Sequence, residues 1–311
     1  DVTFDGFKIT GERVMHEGQA NQGFTLTNSV LDITATFGNV FYFGQVGANG
    51  YHVEFSHNAV SVKNYTEFFE FFGDGTFNVH HNTFTGVSGG VYSPGGGSDV
   101  ADILNIHSTE GTVADNVFDG IDIGVMVAGN AGPVTITGNT FQNLHRDPDG
   151  SDGDAAGIVF VDPAYAGTVT ITGNTFTNSD AGIRTSTFYN DGSAPTLVGS
   201  SDDIVIDDNQ FTGVDDPFLV NIPGSLAATN TTIDEVLYPT LAIGSTGDDN
   251  FIGAPGEDEV LHGGDGTDTF TVETDVLTAA NFVYDEETNT WTVISPNGGT
   301  DALVHFEKVV D

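Results

Sequence analysis

Val134-Thr135-Ile136-Thr137-Gly138-Asn139-Thr140-Phe141 returns almost letter for letter as Val169-Thr170-Ile171-Thr172-Gly173-Asn174-Thr175-Phe176. Looser copies are Ile204-Val205-Ile206-Asp207-Asp208-Asn209-Gln210-Phe211, Val113-Ala114-Asp115-Asn116-Val117-Phe118 and Val79-His80-His81-Asn82-Thr83-Phe84. In each, β-branched and small polar residues alternate and then break at a turn residue followed by Asn, which reads as a short strand entering a tight turn. The Phe falls at positions 84, 118, 141, 176 and 211, in steps of 34, 23, 35 and 35 residues. One such strand cannot bury its apolar face alone, so the copies must stack into a solenoid.

The rhythm extends outward from these copies. Earlier rungs are Val2 to Gly11, Phe24 to Asn28 and His52 to Asn58. A second class of strand lies between the markers: Asn39 to Gly44, Gly90 to Ser93, Ile123 to Val127, Ala156 to Val161 and Ala181 to Thr185. A coil of about 23 residues has room for three short strands, and the longer steps carry insertions of about a dozen residues, the kind that builds binding surfaces on one face of a solenoid. These insertions are Tyr92 to Asp102, Asn143 to Asp154 and Phe188 to Ser201. The recurring Asn58, Asn82, Asn116, Asn139, Asn174 and Asn209 are expected to stack as an amide ladder, and the marker Phe residues to fill the core.

Composition narrows the function. Six Lys and Arg stand against 45 Asp and Glu, a formal charge of -39, which repels nucleic acid and anionic lipid and suits divalent cations or saline water. Cysteine is absent, so metal ligands would be oxygen or His. No apolar run approaches the ~20 residues that span a bilayer. The 41 Gly and 24 Phe fit turns and a narrow stacked core. The chain opens at Asp1 directly in a rung, without an atypical cap. The expectation is a fragment or an end covered by another copy, hence head-to-tail self-association through the β-helix ends.

Past Phe211 the rhythm fades through a linker-like stretch, 225–243, into a different repeat. Gly244 to Ile252, Gly253 to Leu261 and Gly263 to Thr271 follow the nonapeptide G-G-x-G-x-D-x-U-x, interrupted by His262 alone. Its turns offer backbone carbonyls and one Asp carboxylate each, a donor set for Ca²⁺, which takes six to eight oxygens in irregular geometry. A second cation candidate is the loop Asp147-Pro148-Asp149-Gly150-Ser151-Asp152-Gly153-Asp154, with alternating oxygen ligands but without the Gly and Glu positions of an EF-hand; a solvated acidic loop is the alternative.

The nonapeptides resemble the RTX family of calcium-binding parallel β-rolls, and the resemblance covers roughly residues 244 to 311. It implies Ca²⁺ as cofactor, a site shared by Asp249 and Asp268 with Asp258 on the opposite edge, a β-rich C-terminal cap with a secretion role, and an extracellular location. Residues 1–224 resemble the right-handed parallel β-helix proteins, a class that includes polysaccharide lyases and mannuronan C5-epimerases. The expected fold is therefore all-β: a right-handed parallel β-helix over 1–224, a linker over 225–243, RTX repeats over 244–271 and a cap over 272–311. The epimerase Asp-Pro-His-Glu signature is absent, since Asp147-Pro148 and Asp162-Pro163 lack the His-Glu. A uronan-processing site would use His145 as general base with Arg146 or Arg184 as carboxylate clamp; tethering of loops is the competing role. A structural or adhesive part at the bacterial cell surface is the leading expectation, and a polysaccharide lyase or epimerase acting on a uronan such as alginate is the alternative.

Overall fold

In the computed structural model the described residues are 1–11, 23–34, 39–45, 50–62, 68–86, 102–107, 109–128, 132–145, 155–161, 168–186, 204–220, 226–245, 247–253, 259–264, 266–272, 278–285, 290–294, 300–304, 306 and 308–310. They are almost wholly β-structure and form a parallel β-helix solenoid. The alternation read in the marker phrase holds: Val134 and Ile136 point into the core while Thr135 and Thr137 face out. Each coil contributes to three parallel sheets. The first contains Gly23–Thr27, His52–Ser56, Thr76–His80, Glu110–Ala114, Val134–Thr137, Val169–Thr172 and Ile204–Asp207, paired in that order. The second takes the short strands just after the turn, among them Ala59–Val62, Thr83–Thr85, Val117–Asp119 and Thr140–Gln142.

The third sheet holds the second class of strand: Phe41–Gln45, Phe69–Gly73, Asp102–His107, Ile123–Ala128 and Ala156–Val161, then the later parts of Thr175–Ser186 and Gln210–Val220. The sequence reading missed the strand Phe69–Gly73, although Gly73-Asp74-Gly75 closes it with a turn signal. The strand expected over 90–93 lies outside the described residues.

The turn between the first and second sheets explains the shared phrase. One corner residue per coil takes the left-handed conformation: Asn28, His57, His81, Asp115, Gly138, Gly173 and Asp208, all with φ between 50° and 65°. Gly, Asn and Asp tolerate this region, hence their place before the ladder residue. The Asn ladder is continuous: the Nδ2 of Asn58, Asn82, Asn116, Asn139 and Asn174 each donates to the Oδ1 of the next at 2.9–3.0 Å. Each amide also donates to the backbone carbonyl of a core residue one coil back, such as Asn139 to Val113. Behind it the Phe rings stack face to face, Phe118 on Phe141 at 4.8 Å and Phe176 on Phe211 at 4.6 Å between centroids.

The stretch expected as a linker, 225–243, is not a slack connection. Leu226–Ile233 and Val236–Ile243 form an antiparallel hairpin, the first strand continuing the solenoid through Ile206↔Ala228 and the second starting the C-terminal unit through Ala242↔Leu261. Its Thr and apolar alternation has strand character that the absence of a Gly/Asn turn obscured. Beyond it the nonapeptides wind as a two-sided roll: Val236–Ile243, Val260–His262 and Thr300–Val304 on one side, Asn250–Gly253, Thr269–Val272 and Lys308–Val310 on the other. Phe282–Asp285 and Thr290–Ile294 form a hairpin whose second strand pairs antiparallel with Thr300–Val304. His262, the extra residue in the repeat, is absorbed into its strand, buried in register between Ile243 and Val304.

Candidate functional sites

The outer face of the third sheet departs from an ordinary solvated wall. Inward residues such as Leu104, Ile106, Val125, Ile158 and Ile183 belong to the core, so their strand neighbours Asn105, Met126, Val159 and Arg184 point outward, yet all four are buried. Ile123, Met126, Ala156, Val159, Ala181 and Leu219 make a separate apolar cluster there. Residues 87–101, 146–154, 162–167 and 187–203, each next in the chain to a strand of this sheet, lie outside the described residues.

Across the register, one outward row runs Tyr42, Glu70, Asn105, Met126, Val159, Arg184, Leu219. Burial raises the Glu70 carboxyl above its ordinary value, against the lowering effect of a hydrogen bond from Asn39. Two residues along from Asn105, burial pushes the His107 imidazole below its ordinary value, and its ring lies 5.7 Å from that of Phe72. Asn105 is only 6% exposed, and its Oδ1 accepts no hydrogen bond among the described residues. A neutral imidazole, a carboxyl held toward its protonated form and a guanidinium on one partly desolvated face could bind and polarise an anionic or hydroxyl-rich ligand.

His145 is engaged by Asp180, Nδ1 to Oδ1 at 2.9 Å, a contact between neighbouring coils. Arg184 lies four residues further along the same strand as Asp180, roughly 13 Å at the rise of an extended chain. Arg146 lies outside the described residues. Glu70, Asn105 and His107 were not singled out for this face; the signal that could have found them is a charged or polar residue in an otherwise apolar strand of the second class.

In the C-terminal roll the glycine turns lie directly on one another. A Cβ at Gly244 would overlap the carbonyl oxygen of Gly263, and Gly264 and Gly266 adopt φ of 93° and 123°. Asp249 and Asp268 stand on the same edge: Asp268 Oδ1 accepts the Asp249 backbone N–H at 2.9 Å, and Asp249 Oδ2 accepts from the Ser245 N–H and hydroxyl. On the opposite edge Asp301, unflagged in the sequence as a ligand, accepts the Glu259 N–H at 3.2 Å. Asp258, Asp147, Asp149 and Asp152 lie outside the described residues. Among the described residues no three His, Asp or Glu side chains converge on one point, so an ion here would draw most ligands from the main chain, as all-oxygen glycine turns allow. The donor set fits Ca²⁺ in kind.

Comparison with protein-family models, with curated proteins and with solved structures finds no match to this chain.

Proposed function

We propose that this chain is a secreted, calcium-stabilised β-helix with a structural or adhesive role at the bacterial cell surface, its solenoids associating head to tail. The observation that carries the reading is the stacked glycine-turn roll with Asp249 and Asp268 on one edge, fused to the solenoid through the hairpin 226–243. Asp249, Asp268 and the carbonyls of their turns are the residues that would hold Ca²⁺, and the bound ion would tie adjacent turns together. An all-oxygen edge on a chain of charge -39 favours a hard divalent cation. The test is thermal unfolding with millimolar Ca²⁺ and with chelator, followed by electron microscopy. Chelation is expected to melt the C-terminal roll first, because binding stabilises only the folded turns, and calcium-loaded protein is expected to form end-to-end assemblies. Identical melting with and without chelator would remove the calcium part; a monomer under all conditions would remove the assembly part.

A second reading, a uronan lyase or epimerase, is favoured by the outward row bearing Glu70, Asn105 and Arg184 with His107 beside it. In that reading neutral His107 takes a proton from one sugar, while Arg184, three rungs or about 14 Å away, binds a carboxylate further along the same chain. Incubation with alginate and pectate decides it. Unsaturated or epimerised product that disappears in His107→Gln would establish the enzyme, and its absence from the unsubstituted protein would dismiss it.

A further inference from the structure

Three histidines collect at the corner between the first and second sheets, away from both sites above. His57 and His81 occupy the left-handed corner in consecutive coils, with φ of 57° and 56°, and their rings lie nearly parallel at 5.0 Å. His80, the last residue of its strand, turns its ring edge-on to His81. The Nδ1 atoms of His80 and His81 face each other at 2.8 Å.

The Nε2 atoms of His80 and His81 each face a carboxylate. His80 Nε2 is 2.7 Å from Glu54 Oε1, and Glu54 Oε2 accepts a hydrogen bond from Asn78 Nδ2 at 2.9 Å. His81 Nε2 is 3.8 Å from Asp115 Oδ2, one coil further on. In the tautomer that gives its Nε2–H to Glu54, His80 presents a bare lone pair at Nδ1. The hydrogen bond between the two Nδ1 atoms is then donated by His81 Nδ1–H. Moved to Nε2, that proton stands on the side of the Asp115 carboxylate, whose Oδ2 is 3.8 Å from Nε2, and both Nδ1 lone pairs become free together. Carboxylates behind the rings of a histidine pair are the outer-shell arrangement of imidazole metal sites.

We infer that His80 and His81 chelate a divalent first-row transition cation, Cu²⁺ or Ni²⁺, through their Nδ1 atoms, with Glu54 and Asp115 as positioning residues. The separation selects the geometry. Nitrogens about 2.0–2.1 Å from an ion stand about 2.9 Å apart at a right angle, as in tetragonal Cu²⁺ or Ni²⁺ sites, and ~3.4 Å apart in a tetrahedron. Among the described residues two ring nitrogens, and no third His, Asp or Glu side chain, meet at this point, so solvent completes the coordination and the His57 ring shields one side. Imidazole ligands separate this site from the oxygen-only roll.

The test uses the whole chain, titrated with Cu²⁺ in the presence of millimolar Ca²⁺ to occupy oxygen sites, and read by calorimetry and by electron paramagnetic resonance. Expected are one ion with hyperfine coupling to two nitrogens, at least tenfold weaker binding in His81→Asn and in His80→Gln, and weakening of about 10–100-fold in Glu54→Gln. Asn suits the left-handed corner, as Asn28 shows, so His81→Asn should fold; its circular dichroism and melting check this. Copper bound without nitrogen coupling, or with equal affinity in the His80→Gln/His81→Asn double variant, would overturn the site in favour of diffuse binding to the acidic surface.

Discussion

At the scale of single residues, the ladder amides carry more than their size suggests. Asn139 is 1% exposed; its Nδ2 serves Val113, Thr137 and Asn174, and its Oδ1 accepts both the backbone N–H and the Nδ2 of Asn116. Asn139→Ala would strand several buried groups, and since each costs about 1–3 kcal/mol, a loss of at least about 2 kcal/mol is expected in denaturant titration. Asn174→Ala should behave alike. Glu70 and His107 give a pH signature of opposite sign. The folded state favours protonated Glu70, so its burden appears as pH rises: Glu70→Gln should melt higher than the unsubstituted protein at pH 8, and alike below about pH 4. The folded state favours neutral His107, so stability present above its ordinary value near ~6.5 is lost on acidification, and His107→Gln should flatten that loss. Scanning calorimetry across pH measures both. The ladder Asn were legible because each recurs at coil spacing; Glu70 and His107 were not, because each is unique to its coil.

At the scale of strands, the second-class segments carry a Gly whose role only packing reveals. In Ile123-Gly124-Val125, Ala156-Gly157-Ile158 and Ala181-Gly182-Ile183 the Gly lies against the marker Phe ring: a Cβ would come within 2.5 Å of Phe141 at Gly124 and of Phe176 at Gly157. Gly157→Ala should therefore destabilise by about 1–3 kcal/mol through overpacking, and Phe176→Leu in the same chain should recover part of that loss. A double-mutant cycle in denaturant checks the coupling; strict additivity of the two changes would mean the ring and the Gly do not compete for space. The sequence showed both the Gly and the Phe as periodic, yet gave no sign that a strand of one class sits over the aromatic of the other, because that contact depends on how the coil closes. Strand alternation and turn position were readable from local chemistry. The buried outer face of the third sheet was not, since its Met126 and Val159 look like ordinary core residues.

At the scale of the whole molecule, coils contact their neighbours and little else, so stability accumulates rung by rung, against the self-repulsion of a chain with charge -39. Screening lengths fall from about 10 Å at 0.1 M salt to about 3 Å at 1 M, and the melting temperature is expected to climb steadily over that range of NaCl. A flat response would mean the carboxylates are too dispersed to act on one another. The corner between the first and second sheets has a further consequence. It offers one outward, left-handed position in every rung, filled in turn by Asn28, His57, His81, Asp115, Gly138, Gly173 and Asp208, and neighbouring rungs are about 4.8 Å apart. The solenoid is thus a ruler with one mark per coil, where chemistry can be written or erased without disturbing the ladder beneath; the histidines at two adjacent marks show one inscription, and the bare glycines at 138 and 173 are blank divisions of the same scale.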